Sequence, residues 1–213
     1  IILKKKNYLF IDGRYTIQAK QQSSCQFKIV EIHKFLPKNI IKNLKLGFDP
    51  SLFTKKTLKL NFDNSHQLIA IKNNLVDEIH KNRNPKRKQF YSLPNKSVGE
   101  SHISKIRTIK KILKLKKADY LFISSPENVA WLMNIRGHDS PTSPIPNSNL
   151  LIGKNKKIFL ITDKKIALEI IKEKKFLKNQ VIDPAEFKEL IAKLHGDNFI
   201  IDSLSCSILN EKI

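Results

Sequence analysis

Among its 213 residues the chain has only two cysteines, six glycines, one tryptophan, one methionine and five arginines. Each scarcity removes a class of function. Cys25 and Cys206 lie far apart and form no CxxC pair, which argues against a disulfide framework or a zinc site and fits a reducing compartment. The few glycines make neither a phosphate-binding loop nor a dinucleotide fingerprint. No apolar run approaches the roughly 18 residues of a membrane helix. The six histidines are dispersed, without HExxH spacing or a carboxylate-rich setting, so no metal site is evident.

Positive charge is abundant, but of one kind. The formal charge of +21 comes from 35 lysines and five arginines spread along the chain, accompanied by 30 isoleucines and 18 asparagines. That bias is what AT-rich coding produces. Base and phosphate readers favour arginine for its bidentate fork. The densest basic run, residues 84–88, lacks interleaved aromatics. Solvated lysine faces are the expectation, with no specific nucleic acid and no membrane as partner. With 40% hydrophobic residues the chain is long enough to bury a proper core.

Strand and helix patterns alternate. Short strands are expected over 8–12, 26–31, 46–49 and 68–71, with helices over 14–22 and near 37–42. Residues 81–99 are polar, hold two prolines and lack periodicity, so they read as a linker. Beyond it, Ile103, Ile106, Ile109, Ile112 and Leu113 mark an amphipathic helix over 100–115. A strand over 119–124, a hairpin over 150–162, then helix, strand, helix and strand up to Asp202 complete the order. YLFIDGRY and its sequel echo IFLITDKK and its sequel. Asp12 precedes Asp163 by 163 − 12 = 151 residues, and Asp49 precedes Asp202 by 202 − 49 = 153. Two α/β units of one plan, the first truncated at its N-terminus, are therefore expected. Aspartate after a strand is also a common helix cap, a simpler source for the same echo.

The most distinctive stretch is 124–152. Ser125 and Pro126 suit N-cap and N1 of a short helix, Val129, Leu132 and Met133 form its apolar stripe, and Gly137 suits a left-handed stop. Pro141, Pro144 and Pro146 then stiffen the path into an apolar strand. Trp131 and Met133 read as core or interdomain packing. Arg136 reads as an anchor of the proline loop, with a place beside His138 and Asp139 in a cleft as the alternative.

Three segments together resemble one family. YLFIDGRYTIQAKQQ, NLVDEIHKNRNP and ENVAWLMNIRGHDSPTSPIPNSNLLI are similar, in order and spacing, to motifs of aminopeptidase P, the Xaa-Pro aminopeptidases of the creatinase/prolidase superfamily. The resemblance implies an α/β fold of two related creatinase N-terminal-like domains, each a mixed sheet flanked by helices. Residues 1–80 would be the C-terminal part of the first, 81–99 a linker and 100–213 the second. It also implies a missing C-terminal catalytic domain holding two divalent metal ions, usually manganese, on Asp, His and Glu ligands. Peptides with proline at the second position would be the substrates, in a cytoplasmic homodimer. This chain alone is then expected to bind no metal and to be inactive, its domains shaping the substrate cleft and supporting dimerisation. The alternatives are a catalytically empty binding or regulatory module and a lysine-rich nucleic-acid binder. One site residue carries over: Arg14 of DGRY, which the resemblance makes a substrate contact, with a simple pairing to Asp12 as the other reading. Three positions depart from the family pattern: His80, Asn84 and Asn149 stand where tryptophan, proline and an aromatic are usual.

Overall fold

The computed structural model describes residues 1–80, 88–155, 157–196 and 198–213. It is mixed α/β, as expected, and divides into two compact units, Ile1–Glu78 and Ile79–Ile213.

In the second unit a five-stranded sheet runs in the order β10-β9-β8-β6-β11. Its strands are β6 (Tyr120–Ile123), β8 (Asn149–Gly153), β9 (Ile158–Ile161), β10 (Val181–Ile182) and β11 (Phe199–Ile201). The three central strands pair antiparallel, β6 with β8 and β8 with β9. The two outer ones, β10 on β9 and β11 on β6, pair parallel. Side chains on a strand alternate between faces, and the sequence uses both. Leu150 and Ile152 of β8 enter one core with Leu160, Val181, Ile106 and Val129, while Leu151 between them enters a second with Tyr120, Phe122 and Phe187. All three β8 residues are fully buried. Burial of a side chain that size is worth about 1.5–3 kcal/mol, so β8 is the spine of the unit. Helices α5 (His102–Leu115), α6 (Pro126–Met133) and α7 (Leu168–Lys172) supply the first core, and α8 (Phe187–Ala192) the second. A last short helix, α9 (Ile208–Glu211), contributes Ile208.

Of the expected linker, 81–87 falls outside the described residues, whereas 88–99 belongs to this unit. Phe90 is completely buried and its N–H donates to the carbonyl of Ile166 at 2.8 Å. Next to it, β5 (Tyr91–Ser92) pairs antiparallel with β7 (Ile135–Arg136). One core phenylalanine in a polar stretch leaves no periodic trace, which is why composition suggested a linker there.

The first unit is built differently. It has two separate parallel pairs: β1 (Asn7–Ile11) with β2 (Phe27–Glu31), and β3 (Lys45–Phe48) with β4 (Gln67–Ala70). A 3₁₀ turn at Gly13–Tyr15 and helix α1 (Thr16–Gln22) cross from β1 to β2, α2 (Pro37–Ile40) follows β2, and α3 (Lys55–Asn61) joins β3 to β4. Helix α4 (Leu75–Ile79) straddles the division between units. The core is small, with Tyr8, Val30 and Ile41 buried and Phe10, Leu46 and Phe62 packed against them. Helix α3, unforeseen in the sequence, is a seven-residue helix with one buried side chain, Leu58, and Thr54 caps it by accepting from the N–H of Thr57 at 3.1 Å.

The aspartate echo has a physical basis. The carboxylates of Asp12, Asp49, Asp163 and Asp202 each accept the N–H two residues on, from Arg14, Ser51, Lys165 and Leu204, at 2.8–2.9 Å. Such Asx turns fix the chain as it leaves a strand. The strands before Asp12 and Asp163, β1 and β9, each pair parallel with the next strand of the echo, β2 and β10.

Candidate functional site

Arg14 stands in the turn that leaves β1, just past the strand end. The strand presents Asp12, whose carboxylate first accepts the N–H of Arg14 at 2.9 Å. The guanidinium folds back onto the same group, Nε to Oδ1 at 3.0 Å and Nη2 to Oδ2 at 3.1 Å. These hydrogen bonds hold the Asp12 carboxyl below the ordinary carboxylate range and raise the arginine. The Arg14 side chain nevertheless keeps 81% of its surface exposed. An exposed pair of this kind adds little stability. It aims a permanently charged fork into solvent, two of its five N–H donors engaged and three available to a carbonyl or carboxylate. Asp12 therefore acts as a turn former and an orienter for Arg14.

The stretch 124–152 folds as a helix, a short strand and a proline loop, with Ser125 and Pro126 in the expected N-cap and N1 places but with a different stop. The Ser125 hydroxyl donates to Glu127 at 2.6 Å and caps no backbone N–H. The left-handed stop is Asn134 (φ 51°), three residues before Gly137. Asparagine tolerates that conformation, and here its side chain is also in use. Its Oδ1 accepts from Lys105 Nζ at 2.8 Å, and its Nδ2 donates to the carbonyl of Glu100 at 2.9 Å.

Lys105 is buried on α5, and its ammonium also donates to the Trp131 carbonyl at 2.6 Å and lies 4.1 Å from the centroid of the Trp131 ring. A lysine thus closes the C-terminus of α6, where the helix dipole favours a cation. Burial lowers its pKa. This network escaped the sequence reading. Its one signal is that Lys105 falls four residues before Ile109, on the inward stripe of α5.

Gly137 has another reason to be glycine. A β-carbon there would stand 2.6 Å from the Cα of Pro146 and 3.0 Å from the carbonyl of Ile145. The proline loop passes directly over it, and Asp139 closes the loop by accepting the N–H of Asn147 at 2.7 Å. Arg136, expected to anchor that loop, instead donates to the carbonyls of Ala130 and Ile135 at 3.1 and 2.8 Å, staying with α6. His138 lies against the Tyr91 ring, centroids 5.3 Å apart. Met133 is buried as expected, but Trp131 keeps 62% of its surface exposed. Its indole covers Lys105 rather than filling a core. Asn149, where the family has an aromatic, donates to the Ser124 carbonyl at 3.0 Å and ties β8 to the end of β6. Asn84 lies outside the described residues.

Neither cysteine forms a disulfide, Cys25 being exposed and Cys206 buried. Among the described residues no three His, Cys, Asp or Glu side chains gather where a metal ion could be held. A two-metal centre needs such a cluster on each ion, so the described residues do not fit one. No helix among the described residues is long and apolar enough to cross a membrane.

The fold and sites define a class: an α/β module of two units whose described polar features build turns, caps and an exposed arginine. Comparison gives the family. The model of the Creatinase/Prolidase N-terminal domain matches residues 80–212, and the chain belongs to that family. It is similar to the probable Xaa-Pro aminopeptidase P of Laccaria bicolor, 33% identical over 159 residues, which cover 68% of this chain and 25% of the relative. It is also similar to aminopeptidase P1 of Lotus japonicus, 29% identical over 181 residues, covering 80% and 28%. Among solved structures, the X-prolyl aminopeptidase of Caenorhabditis elegans, described as a cytosolic enzyme with a di-nuclear active site, superposes with a TM-score of 0.74 at 26% identity. That match covers 90% of this chain and 33% of the other. The resemblance to aminopeptidase P drawn from the three motifs therefore holds. The chain spans between a quarter and a third of the length of these relatives.

Proposed function

We propose that this chain supplies the non-catalytic N-terminal domains of a Xaa-Pro aminopeptidase, a metallopeptidase that removes the residue preceding a proline. One observation carries the reading: a match to the Creatinase/Prolidase N-terminal domain over 80–212, with aminopeptidase P relatives about three times as long as this chain. In this reading residues 1–80 are the rear of a first creatinase N-terminal-like domain and 100–213 the second. Together they shape the substrate cleft and support a homodimer in the cytoplasm. The two divalent ions, manganese by family habit, sit in a catalytic domain carried elsewhere in the polypeptide. The test is cleavage of a peptide with proline at its second position, with Mn²⁺ added. The chain alone gives no product, whereas a polypeptide that joins it to the downstream catalytic domain does. Cleavage by the chain alone refutes the proposal.

Arg14 is the substrate contact in this proposal, supported by its exposed and Asp12-oriented fork. Loss of an interaction made equally with bound substrate and transition state appears in KM. Arg14→Ala in the joined enzyme raises KM about tenfold and changes kcat less than threefold. An unchanged KM removes Arg14 from the site.

A further inference from the structure

Helix α5 faces an open groove of about 570 Å³ within the second unit, lined also by the β8–β9 turn and the segment after α7. Its floor is apolar: Ile106, Met133 and Phe176 are buried, and Ile103 and Ile158 extend it. Its rim is basic, with Arg107, Lys110, Lys111, Lys114, Lys154 and Lys175 and no acidic residue. Three of these cations are engaged: Lys154 bonds Asp119 at 2.5 Å, Lys175 donates to the Asn134 carbonyl at 3.2 Å, and Lys110 has an interaction of its own. The side chains of Arg107, Lys111 and Lys114 make no hydrogen bond or ion pair among the described residues, and all three are exposed. Burial, with Lys105 adding like charge, lowers the pKa of the half-buried Lys175, and His102 on the same rim is lowered too, by burial and then Lys175. A negative group placed there would relieve both.

We propose that this groove docks an acidic amphipathic segment of a partner protein, with aliphatic side chains on its floor and carboxylates along its rim. Charge complementarity fixes the sign of the occupant, and the floor fixes its second property. Ile103 to Lys114 spans about 16 Å of helix at 1.5 Å per residue, the reach of about five residues of extended chain. A nucleic acid fits less well. Single strands bind through aromatic platforms, and the one aromatic here, Phe176, is 2% exposed. A second copy is a poor occupant of this groove, because its 19 acidic residues are outnumbered by 40 lysines and arginines, so the proposed homodimer forms through another face. The docking does not depend on peptidase activity.

The experiment is fluorescence anisotropy with the full 213-residue chain and a labelled twelve-residue peptide of alternating Glu and Leu, at low salt. Saturable binding is expected, weakened about tenfold or more by Lys111→Glu with Lys114→Glu. Lys188→Glu with Lys193→Glu, on α8 and just past its end, makes the same change in net charge and shifts affinity less than twofold. An alternating Glu and Ser peptide binds at least fivefold more weakly. Equal weakening by the two variant pairs, or equal binding of the Ser peptide, reduces the effect to bulk charge and overturns the proposal. So does an oligothymidylate of twelve nucleotides that binds tighter than the peptide and depends on the same lysines. Should the α5 variant fail to fold by circular dichroism, lysine acetylation of the unaltered chain decides. Protection of Lys111 and Lys114 by the peptide, relative to Lys188 and Lys193, supports the docking, and its absence overturns it.

Discussion

Replacing Lys105 by methionine isolates the polar closure of α6. The substitution keeps the aliphatic stem and removes the ammonium. Two hydrogen bonds from that ammonium are lost, to the Trp131 carbonyl and to Asn134 Oδ1, together with its position 4.1 Å from the indole. Hydrogen bonds to a charged group contribute about 1.5–3 kcal/mol each, and a cation over an aromatic ring about 0.5–2 kcal/mol. Opposing them is the desolvation of the buried ammonium, of order several kcal/mol, which the variant no longer carries. The balance is a loss of about 2 kcal/mol, or roughly 6 °C in Tm at the usual slope for a chain of this size.

Urea unfolding followed by tryptophan fluorescence measures it, since Trp131 is the sole tryptophan and reports the second unit. The pH dependence adds a check of sign. Burial, aided by Arg136 and opposed by Glu100, lowers the Lys105 pKa in the folded chain. Between that value and the ordinary 10.5, the unfolded chain holds more protons, so stability rises with pH through this window. Lys105→Met lacks the rise, and the gap to the parent widens toward alkaline pH. A variant as stable as the parent, or a gap that narrows as pH rises, refutes the reasoning.

Two further substitutions test the packing. Gly137→Ala drives a β-carbon into the backbone of Pro146, which cannot give as a flexible side chain would, and costs about 2 kcal/mol. Gly99→Ala, with nothing within 4 Å, serves as its neutral control in the same thermal melts. Asp119 accepts from Lys154 Nζ at 2.5 Å and from the N–H of Asn198 at 3.1 Å, joining the starts of β6 and β11 to the β8–β9 turn. Asp119→Ala costs about 1–2 kcal/mol by leaving the Asn198 amide without that acceptor, read as a lower urea midpoint.

The parts of the fold that obey a period were legible. Helix α5 shows its apolar stripe, and β6, β8 and β9 show alternate residues for two cores. Helix α3 did not show, because a single buried leucine gives no stripe. Phe90 did not show, because its partners lie some 76 residues away, near Lys165 and Ile166. The helix stop was misplaced for a related reason. Gly137 and Asn134 both suit a left-handed residue, and what selects Asn134 is a lysine on another helix. At the candidate site, DGRY located Arg14 and Asp12, and their local pairing follows from two residues of separation. The basic groove was invisible. Lysines spread through a lysine-rich chain become a rim only when α5 places Arg107, Lys111 and Lys114 along one edge of an apolar floor.

The contrast between one five-stranded sheet and two isolated parallel pairs also sets a hierarchy of opening. Amides of β8 are bonded on both sides, between β6 and β9, and sit between two cores. They exchange with solvent deuterium only when the whole second unit unfolds. Each strand of the first unit has one neighbour and a thin core, so its amides exchange through smaller, cheaper fluctuations. The turn carrying Arg14 therefore rides on the more yielding of the two units, and whatever it grips can tighten it.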